Sequence, residues 1–245
     1  RYRKVAYPLE ERRPMTTASV DGPRFARWVT LLYLVYLAAP IVLLFVGSFG
    51  QLWLNTLLPT GFTGRWYAEV AADPSFRRAF VSSLTVAGLV ILLCLVVGLP
   101  LAYAVFRADR PVVRALARVI YQLPVALPAL VLAFGFIRVF SSDQLPWLGS
   151  IWLLVAGHLM LGLPYFLQAV VADMQRLNLK LLEMAAESLG ANGRQRFFQI
   201  VLPSLRHSIL AGLIVVAALS IGEFQFSNLV AGFLSRTYPV VLLQA

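Results

Sequence analysis

The chain has 245 residues, 60% of them hydrophobic and 13% charged, with a formal net charge of +10. A soluble domain carries about a quarter of its residues charged, so this composition, with a mean hydropathy of +0.78, excludes an ordinary globular protein and indicates a polytopic membrane protein. The basic residues fall in blocks between apolar runs, which argues against nucleic acid as their partner. Cys94 is the single cysteine, so no internal disulfide forms, and with only His158 and His207 beside it no Cys/His metal cluster is expected.

Residues 1–27 are polar and basic, without an apolar period, and read as a cytoplasmic tail ahead of a membrane domain at 28–245. Met15 and the Thr-Thr-Ala-Ser after it resemble a translation start, which sets 1–14 apart. The apolar run at 28–49 suits the roughly 20 residues of a membrane span and is too long for a signal-peptide core. Residues 51–78 mix Pro59, Gly61, Gly64 and Pro74 with Trp53, Trp66 and Tyr67. Such aromatics favour the membrane–water boundary, so an outer loop with a short interfacial helix is expected. Asp73 and Pro74 have the chemistry of N-cap and first position of a second span at 79–106.

A basic loop at 107–118 leads to a third span at 119–140, interrupted by Pro124 and Pro128. Two prolines remove backbone donors, so this helix is predicted to kink or unwind and to face the protein interior, where the freed carbonyls find partners or a cavity. A fourth span at 150–171 contains Pro164, and a fifth follows at 207–228. Residues 229–245 are apolar but broken by Gly232, Arg236 and Pro239, as though a further helix begins there. Sixteen of the 21 lysines and arginines lie in the tail, the loop at 107–118 and the segment at 172–206, three regions that five spans put on one side. The positive-inside rule makes that side, and the N-terminus, cytoplasmic.

The segment at 172–206 is a polar island in an apolar chain. Leu182, Ala185, Ala186 and Leu189 recur at i, i+3, i+4 and i+7, an apolar stripe with Lys180, Glu183 and Glu187 opposite. Gly190 is placed to end that helix in the left-handed conformation. A second amphipathic piece runs over 194–200, and Pro203 is placed to open the fifth span at its first position. A plain connector on the membrane surface requires neither an alanine face nor this Gly-to-Pro spacing.

Ala185, Ala186, Gly190, Ile200, Leu202 and Pro203 stand in the register of the cytoplasmic EAA coupling loop, and here the chain resembles binding-protein-dependent ABC importer permeases. That loop reads Glu-Ala-Ala, three residues, Gly, nine residues, Ile, one residue, Leu-Pro. Met184 stands where the family has glutamate, with Glu183 one position early and Glu187 three late. The Leu-Pro-Thr-Gly-Phe-Thr stretch at 58–63, Trp66-Tyr67 and Ser83-Leu84 are also similar to type I permeases.

The resemblance implies an all-α, polytopic helical bundle of the type I ABC importer permease fold, with about five spans visible and a sixth expected. It implies a bacterial inner membrane location and a subunit that pairs with a second permease, identical or homologous. It also implies two ATPase subunits and a periplasmic or extracellular solute-binding protein as partners. Glu183, Met184, Ala185, Ala186, Glu187, Gly190, Ala191 and Pro203 are then the ATPase-coupling residues. The chain lacks Gly-x4-Gly-Lys-Ser/Thr, so it is expected to hold no cofactor and no catalytic residue, with ATP and Mg bound by the partner ATPase.

Glu223 is the one acidic residue in an otherwise uncharged span, with Gln225 and Asn228 nearby. An ionisable group there marks a solute path or gate, or else an interhelix hydrogen bond or a group reaching water. His158, Gln122, Tyr165 and Gln168 read first as polar contacts between helices, Phe134 and Phe136 as packing, and Arg138 as a side chain reaching the membrane surface. The pattern including Gly222-Glu223-Phe224 looks like the permease group for small charged solutes. An aminoalkylphosphonate or a polyamine is favoured, with ferric iron, thiamine or an oxyanion as alternatives. An integral-membrane enzyme requires a converging acid/base or nucleophile set, and a secondary transporter requires repeats with broken helices in both halves. The sequence displays neither.

Overall fold

The computed structural model describes residues 22–53 and 59–244. Residues 1–21 of the predicted tail, and Leu58 of the 58–63 stretch, lie outside the described residues. The chain divides into two compact units, one ending at Glu69 and one beginning at Val70.

The first unit opens with α1 (Gly22–Ser48), which begins inside the predicted tail. Its apolar side chains, such as Leu32, Tyr36 and Leu44, stay exposed, and Phe25–Ser48 has a mean hydropathy of 2.5. A two-stranded antiparallel sheet follows, β1 (Gly50–Leu52) with β2 (Thr60–Phe62), pairing Gly50 with Phe62 and Leu52 with Thr60. These three-residue strands are a small addition to an otherwise helical chain and leave no period-2 pattern to read in the sequence. The expected short helix is α2 (Arg65–Ala72). Its Trp66 indole donates to the Gly50 carbonyl at 2.9 Å, and the Tyr67 hydroxyl lies 2.5 Å from Ser48 Oγ, so both aromatics are anchored by polar partners.

The second unit is a helical bundle. Helix α3 (Pro74–Arg107) opens as anticipated: Asp73 accepts from the Ser75 and Phe76 amides at 2.6 and 3.1 Å, with Pro74 at the first turn. A π-helical stretch at Cys94–Gly98 precedes Pro100, with the Leu99 amide reaching back to the Cys94 carbonyl. Widening the turn there relieves the clash between a proline ring and the carbonyl four residues back.

Next come α4 (Pro111–Ala126) and α5 (Ala129–Phe140), bent by 98° across Leu127-Pro128. The predicted kink is thus a sharp break. The basic loop is also shorter than expected, since α4 starts at Pro111 and carries Arg114 and Arg118 on the helix. Helix α6 (Ile151–Arg176) is capped by the Ser150 hydroxyl and runs unbroken through Pro164. Then follow α7 (Leu179–Ser188), α8 (Gly193–Ser204), α9 (Arg206–Gly222), α10 (Gln225–Val230) and α11 (Tyr238–Gln244).

Packing between α3, α6 and α9 makes the core, around Val86, Val90, Phe166, Leu167, Val170 and Val216. In lipid, helices associate by close packing at small residues rather than by escaping water. Gly212 of α9 accordingly lies against Phe166 of α6. Among the described residues three helices are long and apolar enough to cross a membrane, and the number is five if each bent pair, α4–α5 and α8–α9, counts as one span.

Two predicted boundaries shift. Pro203 does not open the fifth span; it lies near the end of α8, which has its own π-helical stretch at Arg196–Val201 and meets α9 at a 64° bend. The fifth span ends at Gly222, and 225–230 form a separate short helix, α10.

Candidate functional site

The polar island is organised by local hydrogen bonds. Asn178 sits in the left-handed region at φ +47° and turns the chain from α6 into α7. At the other end Gly190 has φ +86°, its amide donates to the Glu187 carbonyl at 2.9 Å, and the Ala191 amide donates to the Ala186 carbonyl at 3.0 Å. This pair of bonds is the Schellman motif, which occupies the last free carbonyls of a helix. Two residues later Asn192 opens α8 with a reciprocal capping box: its side chain accepts from the Gln195 amide at 2.9 Å, and the Gln195 side chain accepts from the Asn192 amide at 2.8 Å. The Asn-x-x-Gln spacing was a readable signal that the sequence reading passed over. The Glu187 carboxylate pairs with Arg196, which joins α7 to α8.

On α7, Leu179, Glu183 and Ala186 turn inward, whereas Leu182, Ala185 and Leu189 of the apolar stripe are exposed, Leu189 at 89%, so of the predicted grouping only Ala186 changes sides. Met184 is exposed too, Ala191 is partly covered and Pro203 is exposed. Only Ala186 of the four stripe positions is buried.

The physical reason lies outside the segment. At the end of α3 the Tyr103 hydroxyl donates to the Glu183 carboxylate, and Arg107 Nη1 lies 3.7 Å from the same oxygen. A carboxylate with donors of this kind can be buried, and Glu183 is only 5% exposed. Burying Glu183 rotates the apolar residues outward. Tyr103 and Arg107 were not among the sequence candidates, because a contact 80 residues away leaves no local signature.

A second site forms where helices break. A cavity of about 200 Å³ is lined by Pro124, Leu127 and Ala129 from the α4–α5 break, and by His158, Tyr165, Ser220 and Glu223. Irregular backbone within a membrane protein is tolerated where it lines such a space. His158 is buried, with Nδ1 2.8 Å from Ser220 Oγ and Nε2 2.9 Å from Ser227 Oγ, so it ties α6 to α9 and α10 across the gap between them. The expected interhelix role of His158 is therefore the observed one.

Glu223 differs from its expectation. It is not inside a helix but in extended backbone (φ −72°, ψ 118°), and its carboxylate accepts from the Phe226 and Ser227 amides at 3.1 Å. It caps α10 and also borders the cavity. Gln225 and Asn228 are exposed and do not line it; Tyr165 and Ser220 take their place. Phe226 packs its ring edge-on against Phe136 at 5.1 Å and sits over Gly157, where a Cβ would overlap the ring. Phe134, expected to pack like Phe136, is exposed. Among the described residues no three His, Cys, Asp or Glu side chains group to hold a metal ion.

Comparison with known proteins bears on the chain as a whole. A family model described as a binding-protein-dependent transport system inner membrane component matches residues 95–242. The chain is 26% identical over 213 residues to a Salmonella typhimurium LT2 protein whose name assigns it to 2-aminoethylphosphonate transport as a permease, covering 87% of this chain and 79% of that one. It is 24% identical over 224 residues to the putrescine transport system permease of Escherichia coli K12, covering 89% and 78%. With the spermidine/putrescine transport system permease of the same strain it shares 30% identity over 177 residues, covering 65% and 63%. A chain from the crystal structure of a bacterial ABC transporter involved in importing the acidic polysaccharide alginate superposes with a TM-score of 0.63 at 16% identity, covering 90% of this chain and 79% of that one; at this identity the likeness concerns the fold.

Proposed function

This chain belongs to the binding-protein-dependent transport system inner membrane components: it is a permease subunit of an ABC importer, not an enzyme, and we propose that its solute is a small amine-bearing molecule, an aminoalkylphosphonate or a polyamine. Membership brings an ATPase and a solute-binding protein as partners and places the chain in the membrane. We extend this to two ATPase subunits and a second permease, with the N-terminus in the cytoplasm and residues 28–245 as the permease domain.

The observation that carries the coupling assignment is the outward apolar face of α7. Leu181, Leu182, Met184 and Leu189 are large and exposed, around the outer side and at the end of a helix whose other side is held down by a buried charge. An exposed face of this kind marks a protein contact, and it lies in the segment at 172–206 that the charge distribution assigns to the ATPase side. In this reading the face of α7, with Gly190 and Ala191 shaping its end, seats in a groove of the ATPase. ATP-driven closure of the ATPase pair moves it, and the bundle alternates between inward-open and outward-open states, which is coupling between two distinct sites.

The solute assignment rests on the names of the relatives above and on Glu223, the carboxylate bordering the cavity at the helix breaks. The test is uptake of labelled 2-aminoethylphosphonate, putrescine and spermidine by vesicles holding the complete importer. Accumulation of at least one, dependent on ATP and on the binding protein, supports the reading. Accumulation of ferric iron, thiamine or an oxyanion instead overturns it.

A further inference from the structure

We infer that Tyr103, Arg107 and Glu183 form a fixed joint that makes α7 and the end of α3 move as one body, so that Glu183 is a positioning residue held within the permease and not a contact to the ATPase. The inference rests on the docking of α7 proposed above.

Three observations carry it. First, the carboxylate is inside: Glu183 is 5% exposed, while its neighbours Leu182 and Met184 are 44% and 56% exposed. A group buried to this extent is not available to a partner that docks on the opposite face. Second, its partners come from one place and are linked to one another. The Tyr103 hydroxyl donates to Glu183, Arg107 Nη1 donates to the Tyr103 hydroxyl at 3.1 Å, and the Arg107 guanidinium lies 5.7 Å from the centre of the Tyr103 ring. Such a network is costly to break at its buried end, since removing the Tyr103 hydroxyl takes a donor from the buried Glu183 carboxylate.

Third, the joint reaches both arms of the polar island. The Tyr103 ring packs edge-on against Phe197 of α8 at 5.4 Å, and Glu187 of α7 pairs with Arg196 of α8. Tyr103 thus stands where α3, α7 and α8 meet. A force applied to the exposed face of α7 passes into α3, one of the three long spans, without crossing a flexible link. Because the membrane helix is continuous from Pro74 to Arg107, displacement at this end carries along its length.

The experiment places spin labels at two exposed positions on either side of the joint, Ala104→Cys on α3 and Ser188→Cys on α7; Cys94 is fully buried. The distance distribution is measured in the complex purified with its ATPase, without nucleotide and after trapping with Mg-ATP and vanadate. With the joint intact, the distribution is narrow and the same in both states. Tyr103→Phe, which removes only the hydroxyl, and Glu183→Gln each widen it at least two-fold in the trapped state, while the ATPase still copurifies at the unmodified level.

Three results would overturn the inference: a distance that shifts on trapping with the joint intact, a distribution that stays narrow in both variants, or loss of the ATPase from the Glu183→Gln complex, which would make Glu183 a docking contact. Should Glu183→Gln fail to insert, Tyr103→Phe decides alone. The docking reading is checked separately with Leu182→Glu and Leu189→Glu. If these keep the ATPase, that reading fails, while the same label pair measured in the permease alone still reports whether the joint holds.

Discussion

Two interruptions of the bundle, the polar island at 178–204 and the break at 222–231, do opposite things with the same backbone problem. Both must satisfy helix ends whose donors and acceptors have lost their partners. The polar island solves this locally. Asn178, Gly190 and the Asn192–Gln195 box are each within a few residues of the groups they cap. At the break at 222–231 only the start of α10 is capped locally, by Glu223, and the segment is otherwise held by contacts from a distance. His158 of α6 reaches Ser220 and Ser227, Phe226 fills the space over Gly157, and the Gly149 amide donates to the Val230 carbonyl at 3.1 Å while Ser235 Oγ donates to the Gly149 carbonyl at 2.7 Å. A locally capped segment can present a stiff surface to a partner on one side while Glu183 holds its other side to the end of α3. A segment held by remote contacts is tied to the movements of the helices around it, which suits the wall of a cavity between them.

If this contrast holds, the largest loss of stability comes from the remotely held break. Gly157→Leu puts a side chain where the Phe226 ring lies, and overpacking of this kind costs about 1–3 kcal/mol. Thermal unfolding of the purified protein in detergent should show the drop. His158→Ala comes next. It removes two interhelix contacts at once, and polar contacts between membrane helices contribute about 0.6 kcal/mol each, up to about 1.7. A loss of about 1–2 kcal/mol in the same measurement is expected. A loss below the error in both variants would mean that the break is held locally after all.

Gly190→Val tests the other side. A Cβ at Gly190 meets nothing within 4 Å, so the cost is conformational: a β-branched residue at φ +86° costs about 1–2 kcal/mol. Gly190→Asn, which tolerates that backbone, should be close to neutral. Valine should also unseat Ala191 from the Ala186 carbonyl and lower ATPase stimulation by about ten-fold, on the scale where 1.4 kcal/mol is a factor of ten. Stimulation at the unmodified level in a correctly inserted Gly190→Val protein would separate the shape of this turn from coupling.

The same contrast governs what could be read from the chain before its structure. Pro124 with Pro128, Asp73 with Pro74, and Gly190 act on backbone within a turn of themselves, and all three were legible as a break, a cap and a stop. Which side of α7 is buried was not. Periodicity set Leu182, Ala185, Ala186 and Leu189 opposite Glu183, but it does not say which side turns to the bundle. Tyr103 and Arg107 decide that by receiving Glu183, and Ala186 turns inward with it. Glu223, read as part of the fifth span, lies between two helices for a related reason: hydropathy does not reveal that the helix stops at Gly222 and restarts at Gln225. Even the fifth apolar run, continuous in sequence, is two helices in space.

Glu223→Gln gives the smallest expected change in stability and the sharpest test of what the break is for. The carboxylate caps α10 through the Phe226 and Ser227 amides, and a glutamine carbonyl oxygen can accept the same bonds. Replacing a charged acceptor by a neutral one weakens a cap by a few tenths of a kcal/mol, up to about 1, so unfolding should barely move. Uptake separates the two roles. If the cavity receives an amine-bearing solute, losing the Glu223 carboxylate from its wall should raise the concentration needed for half-maximal uptake by ten-fold or more, while Glu223→Ala should also lower stability by about 1 kcal/mol through the lost cap. If Glu223→Gln transports normally and only Glu223→Ala is impaired, the side chain is a cap alone.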